Sequence, residues 1–389
     1  MQHRNDKIGT ENFVNWAAKC IFVNDYKNLK DIYCTMADEN IKDKGILINE
    51  QNFPDANFRN WLLEQEYGKT GVIKHSNIAN ITEINVRKYH YTTDEEKIIT
   101  LEGIQYFTAL TTLDCSINRL TALDVSNNTA LTTLYCSINR LTALDISQNT
   151  ALTSLYCSFN QLTSLDVSGC TALTLLFCDN NQLTSLDVSN NTALTSLYCF
   201  FNQLTSLDVS NNTALTKLWC YNNQLTSLDV SNNTALTKLQ CDDNQLTSLD
   251  VSKNTELEEL DCHNNQLTSL NVTNNTALKY LYCDNNQLAS LDLSKNTALR
   301  SLGCYFNQLT SLDVSNNTAL TELHCYNNNI KGANMDALIS SLPNKSGKIY
   351  IYHSTSETEG NVCTKSQVAA IKAKRWTPYY YNGRFWEIC

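Results

Sequence analysis

The chain has 389 residues and a formal net charge of −10, from 39 acidic and 29 basic side chains. This acidic balance argues against nucleic-acid binding as the main role, because a phosphate backbone needs a basic surface. The 11 glycines and 3 prolines are too few for long flexible linkers. No apolar run is long enough to predict a transmembrane helix.

The first part of the chain predicts two segments. Residues 1–45 match neither a cap nor a repeat, so we expect a helical or partly disordered lead-in without a recognisable signal peptide. Residues 46–109 predict an N-terminal cap and a degenerate first repeat. The letters NFPD (52–55) open a predicted helix that carries Phe58 and Trp61, and ITEINV (81–86) has the LxxLxL spacing of a repeat.

Residues 110–330 repeat with a period of 21 and the consensus LTxLxCxxNQLTSLDVSNNTA. We number the positions of each repeat from 1 to 21 along this consensus. Its first half fits LxxLxLxxNxL, the leucine-rich-repeat signature, with cysteine as the third apolar residue. Inward and outward side chains alternate in LYCF (197–200), which predicts a short strand in each repeat. We therefore predict a leucine-rich-repeat solenoid of stacked parallel strands around a continuous leucine core.

The cysteines at position 6 form the most regular column. A constant step of 21 indicates a repeat rather than a disulfide framework, and the spacing between parallel strands is too wide for a disulfide. Side chains that point the same way also cannot surround zinc. We predict a buried structural ladder of free thiols, with no metal site and no cofactor, at Cys115, Cys136, Cys157, Cys178, Cys199, Cys220, Cys241, Cys262, Cys283, Cys304 and Cys325.

Three polar columns accompany the cysteines. The asparagines at position 9, such as Asn202, and at position 19, such as Asn212, are predicted to satisfy backbone groups at the two bends of each coil. Cys170 interrupts the second column. The aspartates at position 15, such as Asp208, alternate with apolar residues and predict a solvated edge; a cation-attracting comb is the alternative.

Positions 3, 5, 7 and 8 vary between repeats, whereas the other exposed positions stay nearly constant. The variable set is rich in aromatic residues, which provide rigid contact area at interfaces. Cross-strand stabilisation of the sheet is the alternative. We predict that the following residues contact a partner: Tyr135, Tyr156, Phe159, Phe177, Tyr198, Phe200, Phe201, Trp219, Tyr221, Tyr280, Tyr282 and Tyr305. A polar rim is predicted at Lys217, Lys238, Asp179, Asp242, Asp243, Glu259, Asp261 and Asp284.

Residues 331–389 predict a small α/β cap over the last coil. The segment GANMDALISSLP (332–343) predicts a helix and GKIYIYH (347–353) a strand. Thr364 is a predicted N-cap for a second helix, and PYYYNGRFWEI (378–388) predicts a closing hairpin.

The 21-residue unit with its cysteine column resembles the bacterial leucine-rich repeats of the internalin J type. NFPDANFRNWLL (52–63) and EGNVCTKSQVAAIKAKRW (359–376) are similar to the flanking segments of related bacterial surface proteins. The resemblance covers roughly residues 46–389. It implies a right-handed curved solenoid, a protein-binding role in adhesion or host interaction, and a location at the cell surface or outside the cell.

These observations give three hypotheses of function. The first is a non-enzymatic module that binds a protein through the aromatic residues of the concave wall. The second is a glycan-binding surface, because stacked aromatic rings with acidic neighbours also suit sugars. The third is an enzyme or effector activity in one of the terminal segments, where His353 and Cys363 lie close in sequence.

Overall fold

The structure is a computed structural model that describes residues 45–384 and 386–389. The predicted lead-in therefore lies outside the described residues, apart from its last position. The described chain begins with strand β1 (Ile46–Leu47), helix α1 (Ala56–Glu64), strand β2 (Val72–Ile73) and helix α2 (His75–Ile78), in that order. Strands β1 and β2 pair antiparallel. The helix predicted after NFPD is confirmed, and the Asp55 carboxylate caps it by accepting hydrogen bonds from two backbone amides.

A single sheet runs through the repeats, and its strands follow one another in chain order. Strand β3 (Glu83–Asn85) pairs parallel with β4, so the segment predicted as a degenerate first repeat adds a strand to the same sheet. Each repeat adds a strand of three residues at positions 3 to 5. These strands, β4 to β14, are Thr112–Asp114, Thr133–Tyr135, Ser154–Tyr156, Leu175–Phe177, Ser196–Tyr198, Lys217–Trp219, Lys238–Gln240, Glu259–Asp261, Tyr280–Tyr282, Ser301–Gly303 and Glu322–His324.

The predicted solenoid with one continuous core is confirmed. The leucines at positions 1, 4 and 11 and the residue at position 16 are fully buried, as Leu194, Leu197, Leu204 and Val209 illustrate. The same apolar cluster extends from Phe53 near the start of the described chain to Trp376 near its end. A single coil exposes both its flanks, so this core exists only when neighbouring coils are stacked.

The asparagine at position 9 ties each coil to the one before it. The side-chain nitrogen of Asn202 donates to the carbonyl oxygens of Cys178, Cys199 and Phe200 at 3.1, 3.1 and 3.3 Å. Its side-chain oxygen accepts from the Leu183 amide at 3.0 Å. The bonds to the Cys178 and Cys199 carbonyls and to the Leu183 amide are buried, so they satisfy backbone groups that water could not reach.

The asparagine at position 19 closes the second bend with the same chemistry. The side-chain nitrogen of Asn212 donates to the carbonyl oxygens of Val188 and Asn191, each at 2.9 Å, while its side-chain oxygen has no partner. Where Cys170 replaces this asparagine, the thiol lies 3.9 and 3.7 Å from the corresponding oxygens. The interruption thus exchanges two good hydrogen bonds for two long ones.

The aspartates at position 15 are exposed, as predicted, and they also make a local turn. The Asp208 carboxylate accepts a hydrogen bond from the Ser210 amide at 2.9 Å. Hydrogen bonds from Ser210 lower the pKa of Asp208. An aspartate that bonds to the backbone two residues later is a common turn motif, so this column stabilises the bend after position 15.

The cysteine ladder is buried and its thiols are free, as predicted. Several of the thiols approach the carbonyl oxygen at position 5 of the next strand, at 3.3 Å for Cys115 and 3.4 Å for Cys136. Burial raises the pKa of the Cys199 thiol to about 12. A buried thiol with a high pKa is a poor nucleophile, so these side chains serve packing rather than chemistry.

The sheet of the repeats extends into the C-terminal segment. Helix α3 (Ala333–Ser341) precedes β15 (Gly347–His353), which pairs parallel with β14. Helix α4 (Lys365–Ala373) begins at Thr364 with the expected N-cap, and β16 (Trp376–Tyr381) forms a hairpin with β17 (Trp386–Ile388). The helices, strand and hairpin predicted for this region are confirmed.

Thiol labelling of the native protein tests the buried ladder. The chain has 16 cysteines, of which the eleven ladder thiols and Cys170 are buried. With Ellman's reagent we expect fast reaction from at most Cys20, Cys34, Cys363 and Cys389, and reaction of the others only after unfolding in urea. Fast labelling of more than four thiols in the native state would contradict the buried ladder.

Candidate partner-binding face

The aromatic residues at position 5 stack on one another along the outer face of the sheet. Ring centroids lie 4.5 Å apart for Tyr135 and Tyr156, 4.8 Å for Tyr156 and Phe177, and 4.0 Å for Phe177 and Tyr198. The parallel register brings these rings together because each strand places position 5 beside position 5 of the next strand. Since the rings lie face to face, each covers its neighbour.

Stacking has an unexpected consequence for Tyr198. This residue is only 7% exposed, with Phe177 on one side and the edge of Trp219 at 4.8 Å on the other. The expectation that Tyr198 offers its ring to a partner is therefore wrong. Its ring supports the neighbouring rings instead, which is the cross-strand role considered as the alternative.

The stack ends in a cluster of four rings that we call the aromatic patch: Phe200, Phe201, Trp219 and Tyr221. Phe200 stacks on Tyr221 at 4.4 Å and lies 6.1 Å from Trp219, and Phe201 meets Tyr221 edge-on at 5.5 Å. Phe201 is 47% exposed, and the other three are half-buried. The Trp219 indole nitrogen is buried without a hydrogen-bond partner in the protein.

Position 8 has an unusual backbone that its variability did not reveal. Its residue has a positive φ in every repeat, including 48° at Phe201, 55° at Phe159 and 60° at Ile117. Asparagine tolerates this left-handed conformation and occupies the position in five repeats, including Asn180 and Asn222, whereas a phenylalanine or isoleucine is strained there. The recurring asparagine was the sequence signal for this turn.

The remaining predicted contact residues lie further along the sheet. Phe159 is 53% exposed, and Tyr280 is 37% exposed at the start of β12. Tyr282 and Tyr305 are half-buried and face a separate cavity described below. Gln240 and Asp261 occupy position 5 between the two groups, so the predicted residues form two separate regions rather than one continuous stripe.

Three of the acidic residues predicted for a polar rim are buried, and the prediction is wrong for them. Asp179, Asp242 and Asp284 occupy position 7 and are 3%, 7% and 2% exposed. Asp179 accepts a 2.5 Å hydrogen bond from the Ser158 hydroxyl and another from Asn180, although burial still raises its pKa. Such carboxylates act as part of the sheet's framework rather than as a solvated border.

A charged cluster surrounds His263. Its Nδ1 lies 2.6 Å from Asp261 Oδ1, and its Nε2 lies 3.8 and 3.7 Å from carboxylate oxygens of Asp242 and Asp243. Burial disfavours the imidazolium, but the hydrogen bond and charge of Asp261 and the neighbouring carboxylates outweigh it and raise the pKa of His263 to about 9. Burial and the charge of Asp261 raise the pKa of Asp242 to about 7.

The same cluster contains a geometry that could hold a metal ion. Ligand atoms of Asp242, Asp261 and His263 all lie within 4.8 Å of one another. At neutral pH, however, the protonated His263 already provides a positive charge among these carboxylates, and a metal would have to displace its proton. The cluster is therefore accounted for by an internal ion pair.

Comparison with known proteins agrees with this architecture. The family described as "Leucine Rich repeats (2 copies)" matches residues 150–191, 192–233 and 255–296. The functional domain of InlJ from Listeria monocytogenes, which includes a cysteine ladder, is 32% identical over 79% of this chain and 82% of that chain, with a TM-score of 0.48. The chain belongs to the leucine-rich-repeat family. Its buried cysteine column agrees with its resemblance to the internalin J type.

Two further structures share the fold of this leucine-rich-repeat protein. The internalin InlF from Listeria monocytogenes is 24% identical over 85% of this chain and 97% of that chain, with a TM-score of 0.72. A leucine-rich-repeat protein of Leptospira interrogans is 19% identical over 78% of this chain and 97% of that chain, with a TM-score of 0.56. No curated protein matches the chain. Within the described residues, no helix has the length and apolar character to cross a membrane.

The raised pKa of His263 gives a pH-dependent prediction. Because the folded pKa, about 9, lies above the ordinary value of 6.5, the interactions of His263 contribute their full stability below pH 6.5, and this contribution is lost as the pH rises through 9. In Asp261→Asn we expect the imidazole titration, followed by NMR, to move from about 9 toward 6.5. The control Asp187→Asn, outside the cluster, should leave it unchanged. An unchanged midpoint in Asp261→Asn would refute the ion-pair assignment.

Proposed function

We propose that this leucine-rich-repeat protein is a non-enzymatic recognition protein that binds another protein through the aromatic patch on the concave wall of its solenoid. The observation that carries the proposal is Phe201, an apolar ring that is 47% exposed on a residue with a φ of 48°. Phe159 repeats this combination, with 53% exposure and a φ of 55°.

Neither property of Phe201 helps the chain to fold. A left-handed backbone costs a non-glycine residue about 1–2 kcal/mol, and an exposed ring gains little burial. Asparagine fills position 8 in five other repeats and tolerates this conformation, so folding alone would favour it here. A strained residue that folding does not require is a reason to look for function, and an exposed apolar ring on a rigid sheet is suited to a protein interface.

The rings around Phe201 support the same proposal. Phe200 contacts both Trp219 and Tyr221, so a partner would meet a preassembled surface. Tryptophan and tyrosine at the centre of a rigid patch are the residues that most often dominate binding energy between proteins. The buried indole nitrogen of Trp219 has no partner in the protein, and this is a further cost that stability alone does not explain.

Glycan binding is the weaker hypothesis on this geometry. A sugar stacks on the open face of an aromatic ring, whereas the position 5 rings from Tyr135 to Tyr198 cover one another face to face. Location at the cell surface or outside the cell is also part of the proposal. It is supported by the likeness to internalins.

A matched pair of substitutions at position 8 tests the proposal. Phe201→Asn and Ile138→Asn both place asparagine on a left-handed residue, with a φ of 48° or 58° in the parent chain, so neither should lower the melting temperature. We expect Phe201→Asn to reduce partner recovery about tenfold or more, as loss of a central aromatic residue does. Recovery should be unchanged in Ile138→Asn, which lies outside the patch.

The measurement is quantitative affinity capture from cell-surface protein extracts, with a glycan array in parallel. Equal recovery of every captured protein by the parent chain and Phe201→Asn would contradict the proposal. Glycan binding that depends on Phe201, without any protein partner, would favour the second hypothesis instead.

A further inference from the structure

The ring column at position 5 is interrupted once near its C-terminal end. It resumes after the interruption, because His324 stacks on Tyr350 at 4.0 Å and Tyr350 on Tyr379 at 4.8 Å. Between Tyr282 and His324 the corresponding residue is Gly303, whose strand pairs with both neighbours in register. One side chain is therefore missing from a row of rings.

The missing side chain leaves a cavity of about 410 Å³, which we call the Gly303 pocket. Its walls include Tyr282, His324, Tyr326 and Trp386, and Asp261 and Asp284 provide carboxylates. A Cβ atom at Gly303 would lie 3.0 Å from Asp284 Oδ1 and 3.1 Å from Tyr282 Cδ1. Both contacts are tight, so a larger residue would push against Asp284 and Tyr282, and only glycine leaves this wall of the pocket undisturbed.

The pocket combines aromatic rings with buried negative charge. Asp284 is 2% exposed, and hydrogen bonds from the Tyr305 hydroxyl and Asn285 hold its carboxylate in place. Asp261 adds a second carboxylate, although His263 already pairs with it. Burial raises the pKa of Asp284, and the charge of His263, which also lines the pocket, lowers it. Among the described residues no salt bridge joins Asp284 to a basic side chain, because the contacts of His263 within 4.0 Å are to Asp242, Asp243 and Asp261. Aromatic rings and a desolvated carboxylate together favour a cation, which both attract.

The shape of the pocket favours a planar cation. Adjacent strands in a sheet lie about 4.8 Å apart, so the absent side chain of one strand leaves a gap about one ring thick between the rings of its neighbours. A guanidinium group is flat, stacks on aromatic rings and pairs with carboxylates through two parallel hydrogen bonds. An ammonium group has the charge without the flat shape, and a neutral ring has the shape without the charge.

We propose that the Gly303 pocket receives an arginine side chain of the protein partner. The inference rests on the proposed function for the existence of that partner, and it names the chemistry that the partner presents about four repeats beyond the aromatic patch. The pocket itself can be tested without the partner, using a small arginine derivative.

The test compares N-acetyl-arginine amide with N-acetyl-citrulline amide, which has nearly the same shape without the charge, and with N-acetyl-lysine amide. Binding is followed by NMR on the indole signal of Trp386, assigned with Trp386→Phe. We expect the arginine derivative to bind about tenfold more tightly than citrulline, because a charged hydrogen bond to a carboxylate is lost with citrulline. Equal binding of citrulline, or of lysine, would overturn the assignment to arginine.

Two variants locate the site. Gly303→Tyr restores the ring found at position 5 in other repeats and should weaken binding about tenfold or more, because it fills the gap. The control Asp114→Tyr makes a similar change on β4, far from the pocket, and should bind like the parent chain. If Gly303→Tyr lowers the melting temperature strongly, Asp284→Asn serves instead and should lose most of the arginine preference. Parent-like binding in the folded pocket variant would overturn the proposal.

The outcome separates this inference from the proposed function. Phe201→Asn should still bind the arginine derivative normally, because its patch does not line the pocket. If the pocket binds no arginine derivative while Phe201→Asn still loses the partner, only the further inference fails. If the arginine derivative binds but partner recovery is the same for Phe201→Asn and the parent chain, the proposed function fails, whereas the assignment of an arginine site at the Gly303 pocket stands.

Discussion

The structure depends on the buried amide at position 9 of each repeat. A coil of 21 residues must turn inward after its strand, and the turn would leave backbone carbonyls without water or a ladder partner. The Asn202 side chain donates to two such carbonyls, those of Cys178 and Cys199, and accepts from the Leu183 amide of the preceding coil. It also donates to the Phe200 carbonyl, which accepts a backbone bond from Asn180 as well. It therefore satisfies its own turn and also fixes its coil in register with the preceding one. Buried donors and acceptors that lack partners are costly, so few other residue types can occupy this position.

Because buried side chains fix the register of the strands, the residues on the outer face of the sheet are free to vary. Each strand has only three residues, with one leucine inward and two side chains outward. The columns of leucine and cysteine do not depend on which outward side chains are chosen, and the chain uses this freedom to place rings in some repeats, acids in others and glycine in one. Stability and recognition are therefore carried by different positions of the same repeat. This division is the physical basis for proposing that the aromatic patch and the Gly303 pocket are binding features.

The inward columns could be predicted from the sequence, and the surface details could not. A strict period of 21 makes every inward position repeat, so the ladder of Cys199 and the amide of Asn202 followed from one consensus. The outer face depends on contacts between side chains 21 residues apart. The covering of Tyr198 by its neighbours, the burial of Asp284 and the trio around His263 result from such contacts. The left-handed turn at position 8 was predictable in principle, because asparagine recurs there, but the aromatic residues obscured the pattern.

The most direct test of this account is the thermal stability of Asn202→Asp compared with Asn211→Asp. The first change keeps the shape but removes the amide donors on which the buried carbonyls of Cys178 and Cys199 depend. Asn211 is exposed and makes one bond, to the Ser189 carbonyl. The account predicts that Asn202→Asp lowers the melting temperature by about 6 °C or more, from a loss of about 3 kcal/mol, while Asn211→Asp changes it little. Equal melting temperatures for the two variants would contradict the claim that the buried amide ladder holds the coils together.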